Sequence, residues 1–269
     1  MTKTLPALIG RPTGMYALLF GYEPIPESVS VAGGQEDVFL LEPVTGAAVV
    51  YENGWILVDT GFNPEIARDV GLRSTHYVWD NYAPIIPAGD PLPDQIQAAG
   101  LRWDDLAFTV ISHLHCDHGG GLRLLEDGPP VVLQAAEHDF AMSDAGLEHY
   151  YFRTDYVRPG LTFELVDGDR ELADGLHLLD TKGHTPGHQS VQVELPSKTV
   201  VLACDAADLL ENVTRPVRCG TTTHDELVPS AEKAAERLHS LHNRTGTEVW
   251  PGHDPVFWKG IDRPPSRHR

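Results

Sequence analysis

The chain has 269 residues, with 20 Lys+Arg against 39 Asp+Glu, a formal charge of 20 − 39 = −19 with histidine neutral. That balance excludes a protein built to grip a phosphate backbone or an anionic membrane surface, because both depend on cationic neutralisation. With 41% hydrophobic and 22% charged residues, the chain can bury a sizeable core and is not disordered by composition.

Near the start, the longest apolar run, Met15 to Phe20, is too short for a signal-peptide core or a membrane span. A soluble, cytoplasmic protein is the expectation. The first clear element is a hairpin: Ala47 to Tyr51, then Glu52-Asn53-Gly54, then Trp55 to Val58. Asn-Gly between apolar β-formers is a strong turn signal because both residues tolerate positive φ. Phe108 to Ile111 and Val131 to Leu133 read as short buried strands. A second hairpin joins Ser190 to Leu195 with Thr199 to Ala203 through Pro196-Ser197-Lys198. Val228 to Leu241 carries apolar residues at helical spacing, with Pro229 tolerated in the first turn. Glu248 to Trp250 reads as a last short strand.

Strands come early and late, with helical stretches between and after. Two packed sheets covered by helices fit that pattern better than an alternating βαβ sheet does. Two stretches, 62–92 and 138–161, show no regular period and are rich in aromatics: Tyr77, Trp79 and Tyr82 in one, Phe140, Tyr150, Tyr151, Phe152 and Tyr156 in the other. They read as ordered insertions lining a pocket or, as readily, packed onto the core. The expectation is one domain over 1–269 carrying these two insertions. Cys116, Cys204 and Cys219 are odd in number and irregular in spacing, so neither a disulfide framework nor a cysteine-type zinc finger follows.

Chemistry concentrates in His113-Leu114-His115-Cys116-Asp117-His118. With 14 His and 22 Asp in 269 residues, H-x-H-x-D-H should arise by chance roughly 0.003 times. The motif follows a strand and precedes Gly119-Gly120-Gly121, where a loop can turn side chains inward before a helix starts. Four ligands within six residues cannot all reach one tetrahedral ion. They can serve two ions, His113 and His115 on one, Asp117 and His118 on the other. Further candidates stand beside other strands: His184 in Gly183-His184-Thr185-Pro186-Gly187-His188, Asp205 after Val200 to Cys204, and His253 in Gly252-His253-Asp254. Alone, each has a plain reading as a turn histidine or a helix cap.

These motifs, with Val58-Asp59-Thr60-Gly61 upstream, resemble the metallo-β-lactamase superfamily over most of the chain. The resemblance implies an α/β (α+β) four-layer αββα sandwich with a dinuclear site. By the same resemblance, His113, His115 and His184 hold the first ion, and Asp117, His118 and His253 the second. Asp205 bridges them, and Asp59 supports the ligand loop by hydrogen bonding. The family points to two Zn²⁺ per chain, while imidazole and carboxylate ligands also suit Fe, Mn or Co. Cys116 is expected to point away from the ions as a small packing residue.

Within the superfamily, the LFGYEPIPES, HLHCDHGGG and GHTPGHQS segments look most similar to the N-acyl-homoserine lactonase branch. That resemblance implies a quorum-quenching hydrolase in which a metal-bridging hydroxide opens a lactone ester. Other esters, thioesters or phosphotriesters are the alternative substrates. The branch usually carries Asp-x-x-Tyr at the bridging segment, and here it reads Asp205-Ala206-Ala207-Asp208. Either Asp208 is a protonated general acid, or Tyr82 or Tyr151 takes the missing phenol's place, or the substrate is not a homoserine lactone, or Asp208 is a plain helix cap. Asp117 and Asp208 are the candidate catalytic carboxyls. A mononuclear iron persulfide dioxygenase leaves Asp117, His118 and His253 without a metal, and a diiron flavoprotein usually has an acidic residue where His115 stands. A non-enzymatic relic is disfavoured because all seven ligand types are present. The expected partner is a small-molecule lactone or ester, with no nucleic acid, no membrane, and a homodimer allowed.

Overall fold

The computed structural model describes residues 5–77 and 82–269, so Trp79 lies outside the described residues. One sheet runs in the order β1 (Gly14–Pro26), β2 (Phe39–Val50), β3 (Trp55–Val58), β4 (Leu106–Val110), β5 (Val131–Gln134), β6 (Phe163–Val166). Its first three strands are antiparallel and the rest parallel. The other sheet comprises β7 (Arg170–Ala173), β8 (Leu176–Asp180), β9 (Gln189–Glu194), β10 (Thr199–Cys204) and β11 (Thr247–Pro251), ordered β11-β10-β9-β8-β7. All its pairings are antiparallel except β10 with β11.

The layering follows from the two-residue period of a strand. In β3, Ile56 and Val58 join Val200, Leu202 and Trp250 in a core between the sheets. Trp55 and Leu57 face the other way, into a core with Ile66, Leu92, Ile96 and Leu122 from the covering helices and loops. In β10 the same alternation sends Val201 and Ala203 outward against Ala234 and Leu238 of the helix Val228–His242. The order is therefore helix, sheet, sheet, helix. Both sequence-predicted hairpins form, the first in the register Ala47↔Val58 to Val50↔Trp55, closed by Tyr51 N–H donating to Gly54 O at 2.8 Å.

Four strands were not legible. β1 is the longest, yet Gly21 and Pro24 interrupt its run and a register shift falls between Leu19 and Gly21. β6, β7 and β8 have no more than five residues each, too few for a periodic signal. The two aromatic stretches contain short helices at Pro64–Arg68, Val70–His76 and Arg153–Tyr156, and the helix Ala135–Met142 runs into the second. Most of their aromatics pack rather than line a pocket: Tyr77, Tyr151, Phe152 and Tyr156 belong to the core outside the first sheet. Among the described residues, no helix is long and apolar enough to cross a membrane.

Candidate metal centre

Every candidate residue stands just beyond the carboxyl end of a strand. Asp59 follows β3, the H-x-H-x-D-H segment follows β4, His184 follows β8, Asp205 follows β10 and His253 follows β11. Strand ends release backbone from the ladder, so side chains from distant parts of the chain can converge there. Asp59 and Cys204 adopt left-handed backbone at φ 57 and 48, the turns that aim the following residues at the cleft.

Two donor groups result, and they share Asp205. In the first, His115 Nδ1 lies 2.9 Å from His113 Nε2 and 3.1 Å from His184 Nε2. Asp205 Oδ2 is 3.5 Å from His113 Nε2 and 3.4 Å from His184 Nε2. In the second, His118 Nε2 is 2.9 Å from Asp117 Oδ2 and 3.0 Å from Asp205 Oδ1, which is also 3.0 Å from His253 Nε2. A tetrahedron with metal–nitrogen bonds of 2.0–2.1 Å has ligand–ligand edges of about 3.3 Å. The edges given above, with the 3.9 Å between His253 Nε2 and Asp117 Oδ2, bracket that spacing, and Asp205 offers a separate oxygen to each group. The donor sets therefore fit two ions.

The rings are oriented from behind. His253 Nδ1–H donates to Pro43 O at 3.0 Å and His184 Nδ1–H to Thr221 O at 3.3 Å, which turns Nε2 inward in each. His118 Nδ1 meets Asp59 Oδ2 at 2.9 Å, and Asp59 also accepts from Ser112 N–H at 2.7 Å and Ser112 Oγ–H at 2.8 Å. Asp59 thus ties the end of β3 to both ends of the histidine loop.

Charge is finely divided across the cleft. Burial, reinforced by His118 for one and His184 for the other, pushes His113 and His115 well below the ordinary histidine value. Burial pulls His118 and His253 the same way. The carboxylates Asp117, Asp205 and Asp59 around the first, and Asp205, Asp208 and Glu23 around the second, win and hold both well above it. Burial pushes Glu23 up to about 8 with help from Asp117, and Glu42 up to about 7.

Several contributors carried no sequence signal. Glu137, in the helix Ala135–Met142, is fully buried, and its Oε1 accepts from Leu114 N–H at 3.0 Å and Tyr151 Oη–H at 2.6 Å. Its Oε2 accepts from Thr185 Oγ1–H at 2.6 Å and Gly187 N–H at 3.2 Å. It clamps the H-x-H-x-D-H loop to the His184 loop, and a Cβ at Gly187 would run into Glu137 backbone. Glu23 and Glu42 lie on β1 and β2, whose sequence shows nothing of the cleft they face. Tyr151, held by Glu137, packs edge-on against His115 at 4.9 Å rather than lining the cavity.

A cavity of about 110 Å³ opens beside the donor groups, with Glu23, Glu42, Tyr82, Tyr150 and Asp208 in its wall. Asp208 is no helix cap. The next helix, Leu210–Thr214, has Leu209 at its N-cap, with Leu209 N–H held by Asn212 and Leu210 N–H by Asp254. Cys116 packs in the core as expected but also shows a face to the cavity, and burial pushes its thiol well up.

Residues 35–253 match the metallo-beta-lactamase superfamily. The chain belongs to that superfamily. It is 31% identical over 236 residues to the N-acyl homoserine lactonase AttM of Azorhizobium caulinodans, covering 83% of this chain and 86% of the other. A solved structure of a B. thuringiensis AiiA mutant with N-decanoyl-L-homoserine at its active site superimposes with a TM-score of 0.83 at 27% identity, over 96% of this chain and all of that one. A structure of an N-acyl homoserine lactone hydrolase with the product N-hexanoyl-L-homoserine at its catalytic metal centre gives the same TM-score, identity and coverage. The superfamily's dinuclear site and the two donor groups described above coincide in kind.

Proposed function

We propose that this superfamily member is a dinuclear metal hydrolase that opens the ester of N-acyl-homoserine lactones, a quorum-quenching lactonase. The observation that carries the reading is the pair of buried donor groups joined through Asp205, set in the wall of a cavity. The likeness to a structure with ring-opened N-hexanoyl-L-homoserine at its metal centre supports the substrate class.

In this reading His113, His115 and His184 hold one ion, Asp117, His118 and His253 the other, and Asp205 both, with zinc as the metal. Two such cations supply an acidified water and Lewis-acid polarisation of the ester carbonyl. The chain's own residues do the rest. Asp59, Pro43 O and Thr221 O fix the imidazole tautomers, and Glu137 keeps the two histidine loops in register. Asp117 takes up the proton that the attacking water loses on adding to the carbonyl and returns it to the leaving alkoxide. Asp208 touches the substrate and no ion. The acyl chain leaves the cavity along the adjoining hollow lined by His149, Tyr150 and Thr222, which shares His115, Tyr150, His184 and Thr221 with it.

The test is a zinc-loaded preparation assayed for acid release from N-acyl-homoserine lactones, with metal content measured by emission spectroscopy. Ring-opened product and two zinc per chain are expected. Asp205→Asn should lower turnover by at least about a hundredfold and release metal, because one oxygen can no longer serve each group. Turnover near that of the parent would refute the shared role of Asp205.

A further inference from the structure

We propose that the cleft receives lactones whose acyl side carries a cationic nitrogen, an ammonium or guanidinium group, within a few bonds of the amide. This deepens the lactonase reading and rests on it. Three carboxyl groups outside the two donor groups that share Asp205 line the cavity. They are Glu23, Glu42 and Asp208, exposed by 7, 2 and 5%. Among the described residues lining the cavity there is no Lys or Arg. Glu23 Oε2 accepts from the Tyr82 phenol at 2.6 Å, and Glu42 Oε1 accepts from the Ser30 hydroxyl at 2.6 Å. Asp208 differs: its Oδ1 is buried with no hydrogen-bond partner among the described residues. Folded chains rarely retain such an acceptor unless something outside the chain supplies the donor.

The surroundings select an organic cation over a metal ion. Glu23, Glu42 and His253 place donor atoms within 4.8 Å of one another, but His253 Nδ1–H is already engaged by Pro43 O. The wall also holds Tyr82 and Tyr150, with rings 6.0 Å apart, and the aliphatic Ile25 and Val29. Aromatic faces attract an alkylated cation while aliphatic side chains shelter its carbons. Glu23 Oε1 lies 3.8 Å from His253 Nδ1, so the charged end would sit one side chain from the second donor group. That places the cation near the lactone head rather than at the end of a long acyl chain.

The zinc-loaded enzyme would be compared on N-β-alanyl- and N-butanoyl-homoserine lactone, which differ by an ammonium in place of a methyl group. The expected kcat/KM favours the ammonium compound by at least about tenfold, the scale of one charge-assisted hydrogen bond. Asp208→Asn and Glu42→Gln should each pull that ratio toward one. The lactams of the same pair, which resist opening, would be titrated by calorimetry and should show the same preference in Kd. A ratio near one for lactones and lactams overturns the proposal. Lactam preference with neither lactone opened upholds the cation subsite while removing the lactonase reading, and equal opening without lactam preference does the reverse. A third equivalent of metal per chain, lost in Glu42→Gln, would identify a metal occupant and also overturn it.

Discussion

At the scale of single residues, two buried carboxylates do most of the positioning without lining the cavity. Asp59 gathers Ser112 N–H, Ser112 Oγ–H and His118 Nδ1 around one group. Asp59→Asn replaces one acceptor oxygen with an amide donor. Metal affinity should fall roughly 10–100-fold, the usual effect of losing a partner behind a ligating histidine. Competition with a chromogenic chelator measures it, and unchanged affinity would remove Asp59 from its supporting role. Glu137→Gln leaves two of four donors facing an amide nitrogen, so unfolding by denaturant should show a loss of about 2 kcal/mol or more. Neither role was equally visible beforehand. Asp59 stood out through the resemblance that Val58-Asp59-Thr60-Gly61 helps to carry, whereas Glu137 sits in an ordinary helical stretch and meets its partners only through tertiary contacts.

At the scale of elements, the first aromatic stretch is tied down by a buried polar link. Asn63 caps the helix Pro64–Arg68 and donates to Asp155 Oδ1 of the helix Arg153–Tyr156 at 2.6 Å, while Arg123 Nε donates to Asn63 at 3.1 Å. Burial pushes Asp155 up to about 7, against the pull of Asn63 and Arg123. Its native value is thus raised above the unfolded one. Between about pH 4 and 7 the native state holds a proton that the unfolded state has lost, so this group's contribution falls as pH rises through that window. A full shift of that size amounts to at most about 4 kcal/mol. Asp155→Asn should flatten the loss, and urea unfolding of parent and variant at pH 5 and pH 8 checks it. A variant whose difference from the parent does not change with pH would sink the argument. Helix Val228–His242 shows the opposite case, an element legible from its own spacing because Ala231, Ala234, Ala235 and Leu238 form one buried stripe.

At the scale of the whole molecule, the cleft is assembled by strand ends of both sheets and from residues almost two hundred positions apart, Asp59 to His253. Bringing five histidines and several carboxyls out of water opposes folding unless cations compensate them. Stripping metal with a chelator should therefore lower the midpoint of thermal unfolding. Restoring zinc at a hundred times its Kd should return about 2.7 kcal/mol for each site filled, with a midpoint that depends on zinc concentration. A midpoint indifferent to chelator and zinc would mean that the donor groups bind no ion in the folded state.

The sequence by itself determined the hairpins, the alternation that layers two sheets between helices, and the seven side chains that meet in two groups around Asp205. The hairpins and the layering are written in local period, and the seven side chains in short motifs next to strands whose combination resembles a known family. Only the tertiary structure decided what faces the cavity. Glu23 and Glu42 come from strands whose Pro and Gly hid them, Glu137 clamps two loops from a helix with no marking motif, and Asp208 lines the cavity with an oxygen that has no hydrogen-bond partner among the described residues. Burial and partnership are properties of surroundings supplied by distant segments, and no local pattern encodes them.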